Sequence, residues 1–254
     1  MGARVSSVAD DSGILLTPGL RQVGRARGNA KLCGILLHGR DRTKKEMTEL
    51  AMELDLDGVR WLAPAAETGK WYPNRFFDAR SENEPNLTRA VDRCDRVMDE
   101  ATENGKLKAD QIVVAGFSQG ACLALEYAIR RPGRIGAVVV FTGALIGPPE
   151  TDWLSIAGSR VTKRTAHALC AEDEIRSDAG SVLKNAPLAG LRVFLTGSDD
   201  DEWITEAQTR QTAHALADLG ADVRMRIYAG RKHLILPEEI REARAFLTDL
   251  RALW

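Results

Sequence analysis

Residues 111–131 read QIVVAGFSQGACLALEYAIRR, and the reading of this stretch decides the fold. The run Ile112, Val113, Val114 is rich in β-branched residues, breaks into Gly116-Phe117-Ser118-Gln119-Gly120, and continues as a helical pattern of Ala, Leu, Glu and Tyr. That is strand, sharp turn, helix. Glycine at both ends of the G-x-S-x-G pentapeptide removes the Cβ atoms that would clash in so tight a turn, and Ser118 is presented beyond the end of the strand. The first N–H groups of the following helix gather at the same spot and favour negative charge developing there. A bare G-x-S-x-G is a weak signal, because Gly and Ser are common in turns. Flanked by a β run and a helix, it points to a nucleophile rather than a structural turn.

Outward from this unit, strand and helix patterns alternate. Upstream, Leu32–Leu37 is a nearly continuous apolar run suited to burial on both faces, ending in His38-Gly39-Arg40-Asp41. Residues 43–54 carry Met47, Leu50, Ala51 and Leu54 at helical spacing, and Val59–Ala63 is a second strand closed by Pro64. Gly13–Thr17 reads as a first edge strand and Pro18–Ala30, rich in Gly and Arg, as a turn. Residues 65–85 lack periodicity and hold Trp71, Tyr72, Phe76 and Phe77; loops of such length in a compact domain tend to be functional. A charged amphipathic helix at 87–104 then leads into the Ser118 unit. Downstream, the expected elements are a strand at 135–142, an irregular excursion at about 147–190 with helix at 177–184, a strand at 192–196, a helix at 204–219, a strand at 222–228 and a helix at 238–253. Alternation of this kind argues for a mostly parallel, doubly wound α/β sheet with helices on both faces, and residues 1–254 read as one domain.

The composition narrows the function classes. Acids and bases nearly balance, 36 against 35, so there is no electrostatic case for a nucleic acid or membrane-surface partner. No apolar run reaches membrane-spanning length, and the first residues lack the layout of a signal peptide. The four cysteines lack any C-x-x-C pair and suit buried free thiols in the cytoplasm, the expected location.

A serine hydroxyl needs a base, and the base needs a carboxylate to fix its tautomer. In a fold with this elbow the chain order is Ser, acid, His, and only His167, His214 and His233 follow Ser118. His214 falls mid-helix, and His167 lies in the irregular excursion with no apparent acid before it. His233 follows the strand ending at Tyr228 and precedes the helix opened by Pro237, in the kind of loop where active sites of such folds collect. The acid is expected within Gly197-Ser198-Asp199-Asp200-Asp201-Glu202-Trp203, where periodicity alone cannot choose. Two backbone donors must hold the oxyanion: the Gln119 N–H, and one from His38-Gly39-Arg40. His38 has no second ligand at metal spacing and reads as a buttress of its loop.

With these residues assembled, the chain from about Leu32 onward resembles the phospholipase/carboxylesterase family of serine α/β-hydrolases, which includes acyl-protein thioesterases. The resemblance rests on LLHGR at 36–40, WYPNRFF at 71–77, GFSQGACLALEYA at 116–128, GALIGP at 143–148, DEW at 201–203 and AGRKH at 229–233. It implies the α/β-hydrolase fold, a triad of Ser118, His233 and an acid, and oxyanion N–H groups on Arg40 and Gln119. Aligning the family's apolar pair with Trp203-Ile204 selects Asp201 as the acid; counting from Gly197 selects Asp200 instead. The chain departs from the family at Asp41, where glycine is frequent, at Thr205, where proline is usual, and in an excursion at about 159–185 that looks longer than its counterpart.

The implied chemistry is ester hydrolysis through an acyl-enzyme, for which no metal or organic cofactor is needed. Trp71, Tyr72, Phe76, Leu145, Ile146 and Trp203 fall on loops expected at one sheet edge and are the candidate substrate-binding wall, although any of them could equally pack its loop on the core. The leading expectation is a carboxylesterase for small to medium esters, with a small-molecule ester as its partner. A lysophospholipase, an acyl-protein thioesterase, a hydrolase of aromatic or hydroquinone-derived esters or of lactones, and a non-catalytic binding protein on the same scaffold are the alternatives. A homodimer is compatible with the sequence, which does not locate its interface.

Overall fold

The computed structural model of the chain describes residues 19–26, 28–102, 106–158 and 186–252. In chain order these form β1 (Arg21–Gly24), β2 (Leu32–Leu37), α1 (Lys44–Leu54), β3 (Val59–Ala63), α2 (Arg80–Asn83), α3 (Asn86–Ala101), β4 (Ile112–Phe117), α4 (Gln119–Arg130), β5 (Ala137–Phe141), α5 (Trp153–Ile156), β6 (Arg192–Ser198), α6 (Glu206–Asp218), β7 (Asp222–Tyr228) and α7 (Pro237–Arg251). The described strands make one sheet in the order β1-β3-β2-β4-β5-β6-β7. Only β1 runs antiparallel, against β3; every other neighbouring pair is parallel.

The register explains why the strands are apolar throughout. Ile35, Val114, Val138, Val193 and Val223 lie side by side across five strands and join one core cluster with residues of α3, α4 and α6. The next row, Leu36, Ala115, Val139 and Phe194, belongs to a second cluster with residues of α1 and α7. Successive side chains point to opposite faces, so helices on both faces demand apolar residues at every strand position. Each fully buried Val or Leu contributes about 1.5–3 kcal/mol, and both clusters draw on the same strands.

Parallel strands deliver all their C-terminal ends to one edge, where the loops after β2, β4, β6 and β7 meet. Among the described residues no helix is long and apolar enough to cross a membrane.

The structure departs from the sequence reading at several boundaries. The expected turn at 18–30 contains β1, a four-residue edge strand whose side chains are exposed or half-buried; it shows no alternation to read because it buries no face. The expected edge strand Gly13–Thr17 and the helix at 177–184 lie outside the described residues. The long 65–85 loop ends in the single turn of α2, and the 147–190 excursion opens with the single turn of α5. Helix α6 starts at Glu206 rather than Ile204, because Thr205 and Gln208 form a reciprocal capping box that satisfies two otherwise orphan donors.

Candidate active site

Between β4 and α4, Ser118 adopts φ 54°, ψ −121°, a conformation costing about 1–3 kcal/mol that surrounding structure must hold. The glycines are steric requirements. A Cβ on Gly116 would lie 2.4 Å from the Gly120 carbonyl carbon, and a Cβ on Gly120 would lie 2.1 Å from the Leu37 carbonyl oxygen. The turn is pinned to the sheet by the Ser118 N–H donating to Phe141 O at 3.0 Å. Gln119 is the first residue of α4, where a helix leaves its N–H without an intrahelical acceptor.

The loops after β6 and β7 bring the other two groups to this turn. His233 Nε2 lies 2.8 Å from Ser118 Oγ, and Nδ1 lies 2.9 and 3.0 Å from the two Asp201 carboxylate oxygens. Asp201 Oδ1 also accepts from the Trp203 and Ile204 N–H groups at 2.8 and 3.1 Å. Burial alone would raise the Asp201 carboxyl; the hydrogen bonds from His233 and the two amides outweigh it and hold the group below the usual carboxylate range. Its neighbours have other partners. Asp199 accepts from the Gly230 N–H at 2.7 Å, and Asp200 faces Lys232 at 2.7 Å on the surface. The competition within the acidic run is thus resolved by where each side chain points, which spacing does not encode. Of the other histidines, His214 is exposed on α6 and His167 lies outside the described residues.

The Arg40 side chain spans the loops. Its guanidinium donates to the carbonyls of Tyr72, Pro73 and Asn74. The Gln119 side chain accepts from the Trp71 N–H at 3.0 Å and donates to Tyr72 O at 2.8 Å. His38 is buried; its Nε2 accepts from the Ala66 N–H and its Nδ1 meets Gly39 O, which assigns a neutral imidazole with its proton on Nδ1. Burial lowers its pKa.

An open cleft of about 1160 Å³ leads to Ser118 and His233 and is lined by Tyr72, Phe76 and Trp203 among the expected wall residues, with Arg40 and Gln119 also on it. Phe77, Cys122 and Gln208, not among the expected wall residues, line it as well. Trp203 is 60% exposed, and its ring centroid lies 6.3 Å from that of His233. Trp71, Leu145 and Ile146 do not join this wall. All three are buried: Trp71 Nε1 donates to His38 O at 2.8 Å, the Leu145 N–H donates to Thr212 Oγ1, and both Leu145 and Ile146 pack in the core. An aromatic or aliphatic residue on a loop reads the same whether it faces the cleft or anchors the loop. Burial pushes the Cys122 thiol up to about 11, which favours its protonated form at neutral pH.

Behind Asp201 lie two side chains that no pattern in the chain singles out, Arg231 and Glu239, both fully buried. Only a buried charge where the pattern expects loop or apolar packing could have flagged them.

The sequence profile of the phospholipase/carboxylesterase family matches residues 21–175, more than half of the chain; the matched span includes Ser118 and ends before Asp201 and His233. No sequence among the curated proteins matches. Among solved structures, the phospholipase/carboxylesterase from Dyadobacter fermentans is 28% identical with a TM-score of 0.73, over 90% of this chain and 95% of that one. Esterase PE8 is 21% identical with a TM-score of 0.68, over 91% and 97%, and the Bacillus cereus carboxylesterase 20% identical with a TM-score of 0.63, over 91% and 94%. The sheet order, the helices on both faces and these likenesses are those of the α/β-hydrolase fold, and by the family profile that matches it the chain belongs to the phospholipase/carboxylesterase family of esterase-type hydrolases.

Proposed function

We propose that the protein is a serine carboxylesterase that hydrolyses small to medium carboxylic esters through an acyl-enzyme. The observation that carries this reading is the unbroken series of contacts from Asp201 to His233 to Ser118, 2.9 and 2.8 Å long, at the end of an open cleft. His233 takes the Ser118 proton as Oγ attacks the ester carbonyl, and Asp201 stabilises the imidazolium that forms. The backbone N–H groups of Arg40 and Gln119 hold the tetrahedral oxyanion. His233 then protonates the departing alcohol, and water repeats the sequence to release the acid. Phe76 and Trp203 supply the apolar wall against which the ester packs, with the buried Tyr72 bordering it. The buried thiols Cys94 and Cys122 fit a reducing compartment, and we place the enzyme in the cytoplasm.

The test is hydrolysis of a p-nitrophenyl ester chain-length series by the wild type and by Ser118→Ala. The variant is expected to lose at least about 10⁴-fold in kcat, to the background rate. A wild type inert on every chain length, or a Ser118→Ala protein as active as its parent, overturns the assignment.

A further inference from the structure

Arg231 lies in the loop that carries His233, and its side chain has no solvent exposure. Nη1 donates to the carbonyls of Lys232 at 3.2 Å and Leu234 at 2.8 Å, the residues on either side of His233. The same nitrogen is 3.9 Å from Asp201 Oδ2, and Nε is 3.6 Å from Glu239 Oε2. Among the described residues Nε and Nη2 have no hydrogen-bond partner, so the guanidinium meets Glu239 through charge rather than through an N–H···O bond. Glu239, in the first turn of α7, accepts from Thr196 Oγ1 at 2.6 Å and from the Leu236 N–H at 2.8 Å. The Arg231 carbonyl accepts from Ser198 Oγ at 2.6 Å.

Burying a guanidinium costs several kcal/mol unless other groups compensate it, and an apolar side chain of similar volume would fill the same space without that cost. A neutral donor could serve the two carbonyls. Only a cation answers both carboxylates, and one of those is the partner of His233. We propose that Arg231 is a positioning residue: it holds the His233 loop on Asp201 through the carbonyls flanking the imidazole and, balanced by Glu239, sets the negative charge that the imidazole meets. This rests on reading Ser118, His233 and Asp201 as the reacting set.

Among the described residues, Asp201 faces the guanidinium from the loop after β6 and Glu239 from α7, and His233 shares its loop. Tyr228, at the end of β7, has a buried hydroxyl that feels Glu242, Glu239 and Glu238, while Asp200 and Lys232 pair with each other at the surface. A cation beside Asp201 withdraws part of the stabilisation that the carboxylate gives the imidazolium, and Glu239, whose carboxyl is raised by burial against the pull of Thr196 and Arg231, restores it when ionised. Removing the Arg231 charge and removing the Glu239 charge should therefore move the acid limb of the pH–rate profile in opposite directions, which a purely structural role would not do.

The experiment is the pH dependence of kcat/KM for p-nitrophenyl acetate in Arg231→Met, Arg231→Lys and Glu239→Gln, beside Ser118→Ala. Arg231→Met is expected to lose about tenfold in kcat with KM changed less than about threefold, and its acid limb should move up by about one pH unit. In Glu239→Gln the limb should move down by about half a unit, and Arg231→Lys, which keeps the charge, should titrate with the wild type. Coincident limbs in Arg231→Met and wild type overturn the proposal. If circular dichroism shows that Arg231→Met does not fold, Glu239→Gln decides, and an unshifted or raised limb there overturns it. Undiminished hydrolysis by Ser118→Ala overturns the underlying reading and this proposal with it; a silent Ser118→Ala beside unmoved limbs overturns the proposal alone.

Discussion

Gly120 and Ser198 lie on opposite sides of the Ser118–His233 contact, and what holds each side differs. On the Ser118 side, backbone approaches backbone so closely that a Cβ at Gly120 would sit 2.1 Å from Leu37 O. The turn is fixed by what cannot fit. On the His233 side, the loops after β6 and β7 are joined by polar atoms: Ser198 Oγ lies 2.8 Å from Tyr228 O and 2.6 Å from Arg231 O, Asp199 takes the Gly230 N–H, and Asp201 takes His233. This side is fixed by partners that must be present. Steric exclusion tolerates no added atom, whereas a polar network tolerates no missing one.

The largest expected effect tests whether the polar side works through one carboxylate. Asp201→Asn should cost about 10³–10⁴-fold in kcat, about 4–5.5 kcal/mol, by stabilising the wrong imidazole tautomer. Asp200→Asn, which removes only the surface contact with Lys232, should stay within about twofold. Equal losses in the two variants would erase the distinction between the acids. On the steric side, Gly120→Ala should destabilise by more than about 3 kcal/mol, read as a fall of about 10 °C in Tm or as loss of soluble protein. A variant that melts with the wild type would show that the turn has room that its geometry denies.

Ser198→Ala removes one hydroxyl from the polar side and should cost about 1–2 kcal/mol in urea unfolding, with a severalfold fall in kcat; unchanged values of both would mean that the loops hold without it. The smallest effect belongs to His38, a polar element on the Ser118 side. Burial lowers its native pKa, so as pH falls below about 6.5 the unfolded chain takes up a proton that the native imidazole refuses. Stability present above that pH is then lost, by at most about 1.4 kcal/mol per pH unit. Urea melts at pH 7.5 and 5.5 should show this loss in the wild type and a smaller one in His38→Gln, and parallel losses would remove His38 from the account.

The same contrast explains what could be read from the chain alone. Exclusion leaves local marks: the glycines of 116–120 and the apolar strands announce the elbow and the doubly wound sheet, and Pro237 announces α7. Ser118 and His233 were legible because chain order and loop position restrict them. Asp201 was legible only through resemblance, since Asp199, Asp200 and Asp201 differ in which way each side chain faces. Arg231 and Glu239 left no mark, because seven residues of loop and helix start separate two charges that meet only after folding. The wall was legible in part: Phe76 and Trp203 reach the cleft and the buried Tyr72 borders it, while Trp71, Leu145 and Ile146 turn inward to anchor their loops.

The stretch 71–74 receives Arg40 on three of its carbonyls and Gln119 on an N–H and a carbonyl. In evolutionary terms, the two residues whose main chains we propose to serve the chemistry lend their side chains to the shape of the proposed substrate wall. Substitution at either position leaves its amide donor in place and loosens the wall, so substrate range can drift there without surrender of the reaction. A transplanted 71–78 loop, by the same logic, works in a new host only where both anchoring side chains already stand.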